Sequence, residues 1–208
     1  YALNANTTGA NNVSLGYATL ESHTTGGGNT ALGYRACTQG TALTTGSGNT
    51  IVGAYCRTSA VASGYAFGLG YDLTCNAGYV TLGESANDIR AANGNTSWAT
   101  VSDERYKKDI VDSTAGLSLV NALQPRTFKY KNLGELPNTF SAYKEGSTEV
   151  FKNSNTNHGF IAQEVKTAID ADASIKDGFR MWDDRPDGSQ EIGQTALIPV
   201  LVKAIQEL

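Results

Sequence analysis

The sequence predicts a chain of two parts: an all-β repeat over residues 1–101 and an α+β domain over 102–208. Three observations predict it. Composition breaks near residue 100: the first part holds 16 of the 23 Gly and no Lys or Pro, and the second holds all nine Lys and all four Pro. Short apolar cores recur through the first part, each closed by a Gly. The second part ends on a helical stripe, as if a coiled coil followed.

The cores are Asn12-Val13-Ser14-Leu15-Gly16-Tyr17, Asn29-Thr30-Ala31-Leu32-Gly33-Tyr34, Asn49-Thr50-Ile51-Val52-Gly53-Ala54, Ala66-Phe67-Gly68-Leu69-Gly70-Tyr71 and Tyr79-Val80-Thr81-Leu82-Gly83-Glu84. Their anchor glycines stand 17, 20, 17 and 13 residues apart. Each core reads as a short strand, with turn residues such as Gly26-Gly27-Gly28 and Gly46-Ser47-Gly48 between cores. Such a unit cannot bury its apolar side alone. Stacked, the units form a solenoid or roll with Leu15, Leu32, Val52, Leu69 and Leu82 in register as its apolar ladder. One ladder is a thin core for so long a stretch, so burial between identical chains is expected to supply the rest. Regular aliphatic and Tyr placement sets the stretch apart from a disordered linker.

Cys37, Cys56 and Cys75 are each 19 residues apart, one per repeat. Three thiols do not close a disulfide framework in one chain, and no CxxC or His cluster offers a zinc site. They are expected to pack as small apolar side chains. Residues 87–101 form a junction, with Asn93-Gly94 as a turn.

In the second part, Leu117, Leu119, Val120 and Leu123 give a weakly amphipathic helix ended by Pro125. Residues 126–131 alternate like a strand, with Phe128 and Tyr130 on one face. Residues 132–157 are polar and loop-like, and 158–165 run from strand into a helix reaching about Ile169. Residues 182–188 read as a hairpin tip. The closing helix carries Leu197, Val200/Leu201, Ala204/Ile205 and Leu208, with Pro199 tolerable in its first turn.

Several function classes are excluded. The net charge of −4 argues against binding driven by nucleic-acid phosphates. No apolar run approaches the roughly 18 residues of a membrane helix. The opening Tyr1-Ala2-Leu3-Asn4 shows no signal-peptide pattern and reads as the start of a piece of something longer. There is no Walker pattern, and Gly68-Leu69-Gly70 lacks the βαβ setting of a dinucleotide site. No cofactor or metal is expected.

The repeat cores resemble the heads of trimeric autotransporter adhesins and the Gly-Asn-Thr-Ala-Leu-Gly-Tyr repeats of phage tail fibres, over about residues 9–86. That resemblance implies a trimeric β-roll or interwoven β-helix shaft touching a host cell-surface receptor, a glycan among the candidates. The second part resembles the endosialidase-type intramolecular chaperone auto-processing domain of phage tail spikes and fibres. Three motifs carry this: Ser-Asp-Glu-Arg-x-Lys at 102–107, Gly-x-Ile-Ala-Gln-Glu-Val at 159–165 and Leu-Ile-Pro-Val-Leu-Val-x-Ala-Ile-x-Glu-Leu at 197–208. It implies a domain that drives trimerisation of the fibre and then cuts itself off by single-turnover serine endopeptidase chemistry. The fibre would end in the virion, and the chaperone would act in the host cytoplasm during assembly.

The resemblance places the nucleophile at Ser102 and the general base at Lys107, with cleavage between Val101 and Ser102 or, as second choice, at the bond after Ser102. A serine hydroxyl needs a neighbour to take its proton, and a lysine can do so only when neutral. Arg105 and Lys108 are near enough in sequence to contribute positive charge. Five residues of separation do not put Ser102 and Lys107 on one helical face, so a turn must bring them together. By spacing alone, Ser102-Asp103-Glu104-Arg105 reads as a helix N-cap with acids in its first turn. Asp103, Arg105, His158 and Gln163 are further site-lining candidates; Glu164 reads as a solvated or paired acid. Two other readings stand beside this one. The same domain could trimerise and stay attached. Residues 1–101 could degrade a polysaccharide, but only Glu21, Asp72, Glu84 and Asp88 offer carboxylates there.

Overall fold

The computed structural model describes residues 1–176 and 179–208. The chain forms two compact units, Tyr1–Lys108 and Asp109–Leu208. The change in composition falls at 101/102, and the contacts divide a few residues later.

In the first unit, β1 (Val13–Leu15), β2 (Thr30–Leu32) and β3 (Thr50–Val52) are the first three repeat cores. β4 (Arg57–Thr58) follows, then β5 (Phe67–Tyr71), β6 (Thr74–Cys75), β7 (Tyr79–Glu84), β8 (Asn87–Ala92) and β9 (Ala99–Thr100). β1, β2, β3, β5 and β7 pair in parallel in that order, and β4 pairs with β6 in parallel. Successive repeats therefore coil on one another within a single chain. This is the stacked solenoid or roll that the repeat predicts. β8 then adds antiparallel to β7 and, after the Asn93-Gly94 turn, β9 adds antiparallel to β8, closing the parallel stack.

The register aligns Leu15, Leu32, Val52, Leu69 and Leu82 as the repeat predicts, but the column points the other way. Leu15 is 71% exposed and Leu69 49%. The buried strand positions are Ala31, Ile51, Gly68 and Thr81, one residue earlier on each rung. Strand side chains alternate, so a one-residue offset exchanges the faces. The interior takes small groups at three of these four strand positions. It is completed by Leu20, Ala36, Leu43, Leu73 and the three cysteines, all buried and free. Burial pushes the Cys37 and Cys75 thiols up to about 12, as expected of structural thiols.

Two further columns hold the register. Asn29 donates from its backbone N–H and Nδ2 to Asn12 Oδ1 (2.9 and 3.0 Å), and Asn49 does the same to Asn29 Oδ1 (3.1 and 2.8 Å). Ala66 replaces Asn on the next rung and ends the ladder with its backbone N–H on Asn49 Oδ1, at 3.0 Å. The anchor glycines form the other column. A Cβ on Gly53 would lie 1.7 Å from the Gly70 carbonyl oxygen, and its φ of +127° suits no other residue.

The second unit holds α1 (Leu117–Ala122), β10 (Arg126–Phe128), β11 (Asn157–Gly159), α2 (Ala162–Asp170), β12 (Trp182–Asp184), β13 (Gln190–Ile192) and α3 (Leu197–Gln206). β10 pairs antiparallel with β11, and β12 with β13; the tip begins at Arg185, whereas Trp182–Asp184, read from the sequence as part of the turn, are strand paired to β13. The long segment between β10 and β11 closes on itself. Leu133 N–H donates to Glu149 O, and Phe151 N–H to Lys131 O. Leu119, Val165, Ile169, Met181, Leu197 and Val200 form the core. α3 buries Leu197, Val200 and Ala204 but exposes Ile198, Leu201, Val202 and Ile205, so it is apolar on both sides. No helix among the described residues is long and apolar enough to cross a membrane.

Candidate functional site

β9 ends at Thr100 and the chain leaves the sheet. Asp103 then caps a 3-10 turn over Glu104–Tyr106, its Oδ1 accepting the Arg105 backbone N–H at 2.9 Å. Tyr106 N–H returns to Asp103 O and Lys107 N–H to Glu104 O. A cap and acidic first turn are what the spacing alone suggests here, and the turn is short enough to fold the chain back. Lys107 Nζ thereby donates to Ser102 Oγ at 2.7 Å. The two residues that no helical face would join are joined by this reversal.

Asp103 does a second job. Its carboxylate receives Arg105 Nε at 2.9 Å and Nη2 at 2.6 Å, a two-pronged grip that holds it below the usual carboxylate range. Arg105 is thus spent on Asp103. Val101, Ser102 and Lys107 are all exposed on the single chain, so the bond between Val101 and Ser102 lies on an open surface directly after the last strand.

His158 and Gln163, the other site-lining candidates, occur in the second unit. His158 is on β11 opposite Thr127, and Gln163 opens α2. Both line a groove of about 840 Å³ whose walls include Phe128, Tyr130, Phe140 and Phe151. Tyr130 packs edge-on against Phe128 and Phe151, with Lys152 Nζ 5.3 Å from its ring centre. The Phe128/Tyr130 alternation signals one wall in the sequence; Phe140 and Phe151 come from the polar segment and carry no such signal. At the rim, Asp187 accepts backbone N–H groups of Ser141 and Ser189 and the Ser189 hydroxyl, which hold its carboxyl well below the usual range. Glu164 is a paired acid: it binds Arg126 through two bonds of 2.9 and 3.0 Å.

Asp72 is engaged by Arg57 and Ser85, which lower its carboxyl from the ordinary value. No group of three or more His, Cys, Asp or Glu able to hold a metal occurs among the described residues.

Residues 102–174 match the family described as chaperone of endosialidase. The match begins on Ser102 and includes Lys107, His158 and Gln163. It supports an endosialidase-type chaperone domain in this segment, and with it a tail-fibre chaperone role. No curated protein and no solved structure matches the chain.

Proposed function

We propose that this chain is the C-terminal part of a homotrimeric phage tail fibre, in which the domain from Ser102 onward directs assembly of the β-roll and then releases itself by autoproteolysis. The Lys107 Nζ to Ser102 Oγ hydrogen bond, lying where the family match begins, carries the reading. Ser102 Oγ attacks the Val101 carbonyl carbon and gives its proton to a neutral Lys107 amine. The Val101–Ser102 C–N bond breaks as Lys107 passes that proton to the Ser102 nitrogen, leaving Val101 as an ester on Oγ. Water hydrolyses the ester, restoring the hydroxyl and freeing the Val101 carboxylate. Asp103 is a positioning residue, since it holds the turn that brings Lys107 back.

Timing follows from exposure. Removal from water favours a neutral amine. Ser102 and Lys107 are open on one chain, so covering of this turn in the assembled fibre would start the reaction. The bond lies outside the sheet, so cutting it leaves β9 paired and the roll closed. Releasing the domain removes a route back and makes the fibre kinetically stable. The exposed stripe of α3 supports self-association of the second unit. The fibre would reside in the virion and face a host receptor.

The test is self-cleavage of the purified full chain against Lys107→Met, which keeps the stem and removes the amine. The variant is expected to remain uncut as an oligomer. Undiminished cleavage would overturn Lys107 as the base. An uncut wild type would leave a retained trimerisation domain.

A further inference from the structure

The apolar columns on the outside of the roll are unpartnered. Val13, Leu15, Phe67 and Leu69 are exposed, and Leu32, Val52, Val80 and Leu82 continue the two columns at partial exposure. Beside them runs a third column of rings. Tyr17 stacks on Tyr34 at 5.6 Å, and Tyr55 meets Tyr34 at 5.3 Å and Tyr71 at 5.8 Å. Neither strand column contains a charged residue over its five rungs.

We propose that this face is where copies of the chain pack on one another, side by side and parallel, with the Leu15–Leu82 column turned toward their shared axis. The inference rests on reading the chain as a fibre of identical chains and says which surface joins them. Around an axis parallel to the roll, each residue meets its own counterpart on the same rung. A charge there would face its like, which is destabilising, so the absence of charge along both columns is what such packing requires.

Other occupants fit less well. A glycan site needs placed polar groups that fix orientation, and the two columns offer only the Thr30 and Thr50 hydroxyls. A lipid surface favours many flanking Lys and Arg, and residues 1–101 contain no Lys and only three Arg. The columns are also regular along the whole stack, as a partner with the same repeat would demand.

The test places one reporter on the face and one off it in the full chain. Leu69→Cys is compared with Ala62→Cys, which lies in the exposed turn between β4 and β5. The native thiols are buried and form a low background. A short bis-maleimide is expected to link Leu69→Cys chains roughly tenfold or more above Ala62→Cys, because packing fixes a high effective concentration. Leu69→Asp, checked for a retained β spectrum, should abolish association of the roll. If native mass shows an oligomer but Leu69→Cys links no better than Ala62→Cys, the face proposal falls while the fibre reading stands. If native mass shows only monomer, both fall. Protection of Leu69→Cys by added host polysaccharide, without cross-linking, would give the face to a receptor and overturn the proposal.

Discussion

In the first unit like stacks on like: Asn29 on Asn12, Asn49 on Asn29, Tyr34 on Tyr17, Gly70 beneath Gly53. In the second, unlike groups pair: Arg126 with Glu164, Trp182 with Gln190, Lys203 with Glu207. The difference teaches how each unit finds its register. Complementary pairs fix one arrangement each. A ladder of identical rungs offers similar contacts when shifted by a whole repeat, so its register is weakly specified by its own chemistry. On the proposed reading, such a roll gains from a neighbouring domain that holds chain ends together.

The largest effect that would sharpen this comparison is Gly53→Ala. A methyl 1.7 Å from the Gly70 carbonyl cannot be accommodated without parting two rungs. The roll is expected to lose cooperative unfolding, read by hydrogen exchange of Ile51 and Thr81 amides, while Val165 and Ile169 amides stay protected. Equal loss in both units would break the comparison. Met181→Ala reverses the experiment: it truncates a fully buried core side chain of the second unit. About 2–5 kcal/mol should be lost there by denaturant melting, with the roll unchanged.

Asn29→Ala is smaller. It strips the acceptor from the Asn49 backbone N–H and side chain, both buried, at a cost of about 1–3 kcal/mol per orphaned group. A variant as stable as wild type would show that the ladder does not hold the register. The smallest effect is a pH dependence. The Asp187 carboxyl is depressed in the fold by its N–H and hydroxyl donors, so it stabilises above the unfolded value of about 3.9 and the contribution is lost as pH falls below that. The melting-temperature gap between wild type and Asp187→Asn should therefore be present at neutral pH and shrink in acid. A gap that widens in acid would contradict the assignment.

Much of this fold is legible in the sequence, because the repeat and the composition break are both periodic or global signals. The side of each strand is not. Leu15 and Leu69 are the most apolar positions of their rungs and read as interior, yet the roll takes Ala31 and Ile51 inward and leaves the leucines outside. Hydrophobicity says that a residue seeks burial, not which surface provides it. The same holds in α3, where Ile205 is 70% exposed next to the buried Ala204. The Asn ladder was equally hidden, since Asn beside Gly reads as a turn residue. At the turn after β9, the five-residue separation of Ser102 and Lys107 gives no reason to join them; only the resemblance names them, and the Asp103 cap supplies the geometry.

The most direct measurement is the intact denatured mass of freshly purified full-length chain beside Ser102→Ala. Two fragments meeting between Val101 and Ser102, in wild type alone, are predicted. A single uncut chain in both, or cleavage persisting in Ser102→Ala, would contradict self-release through this serine.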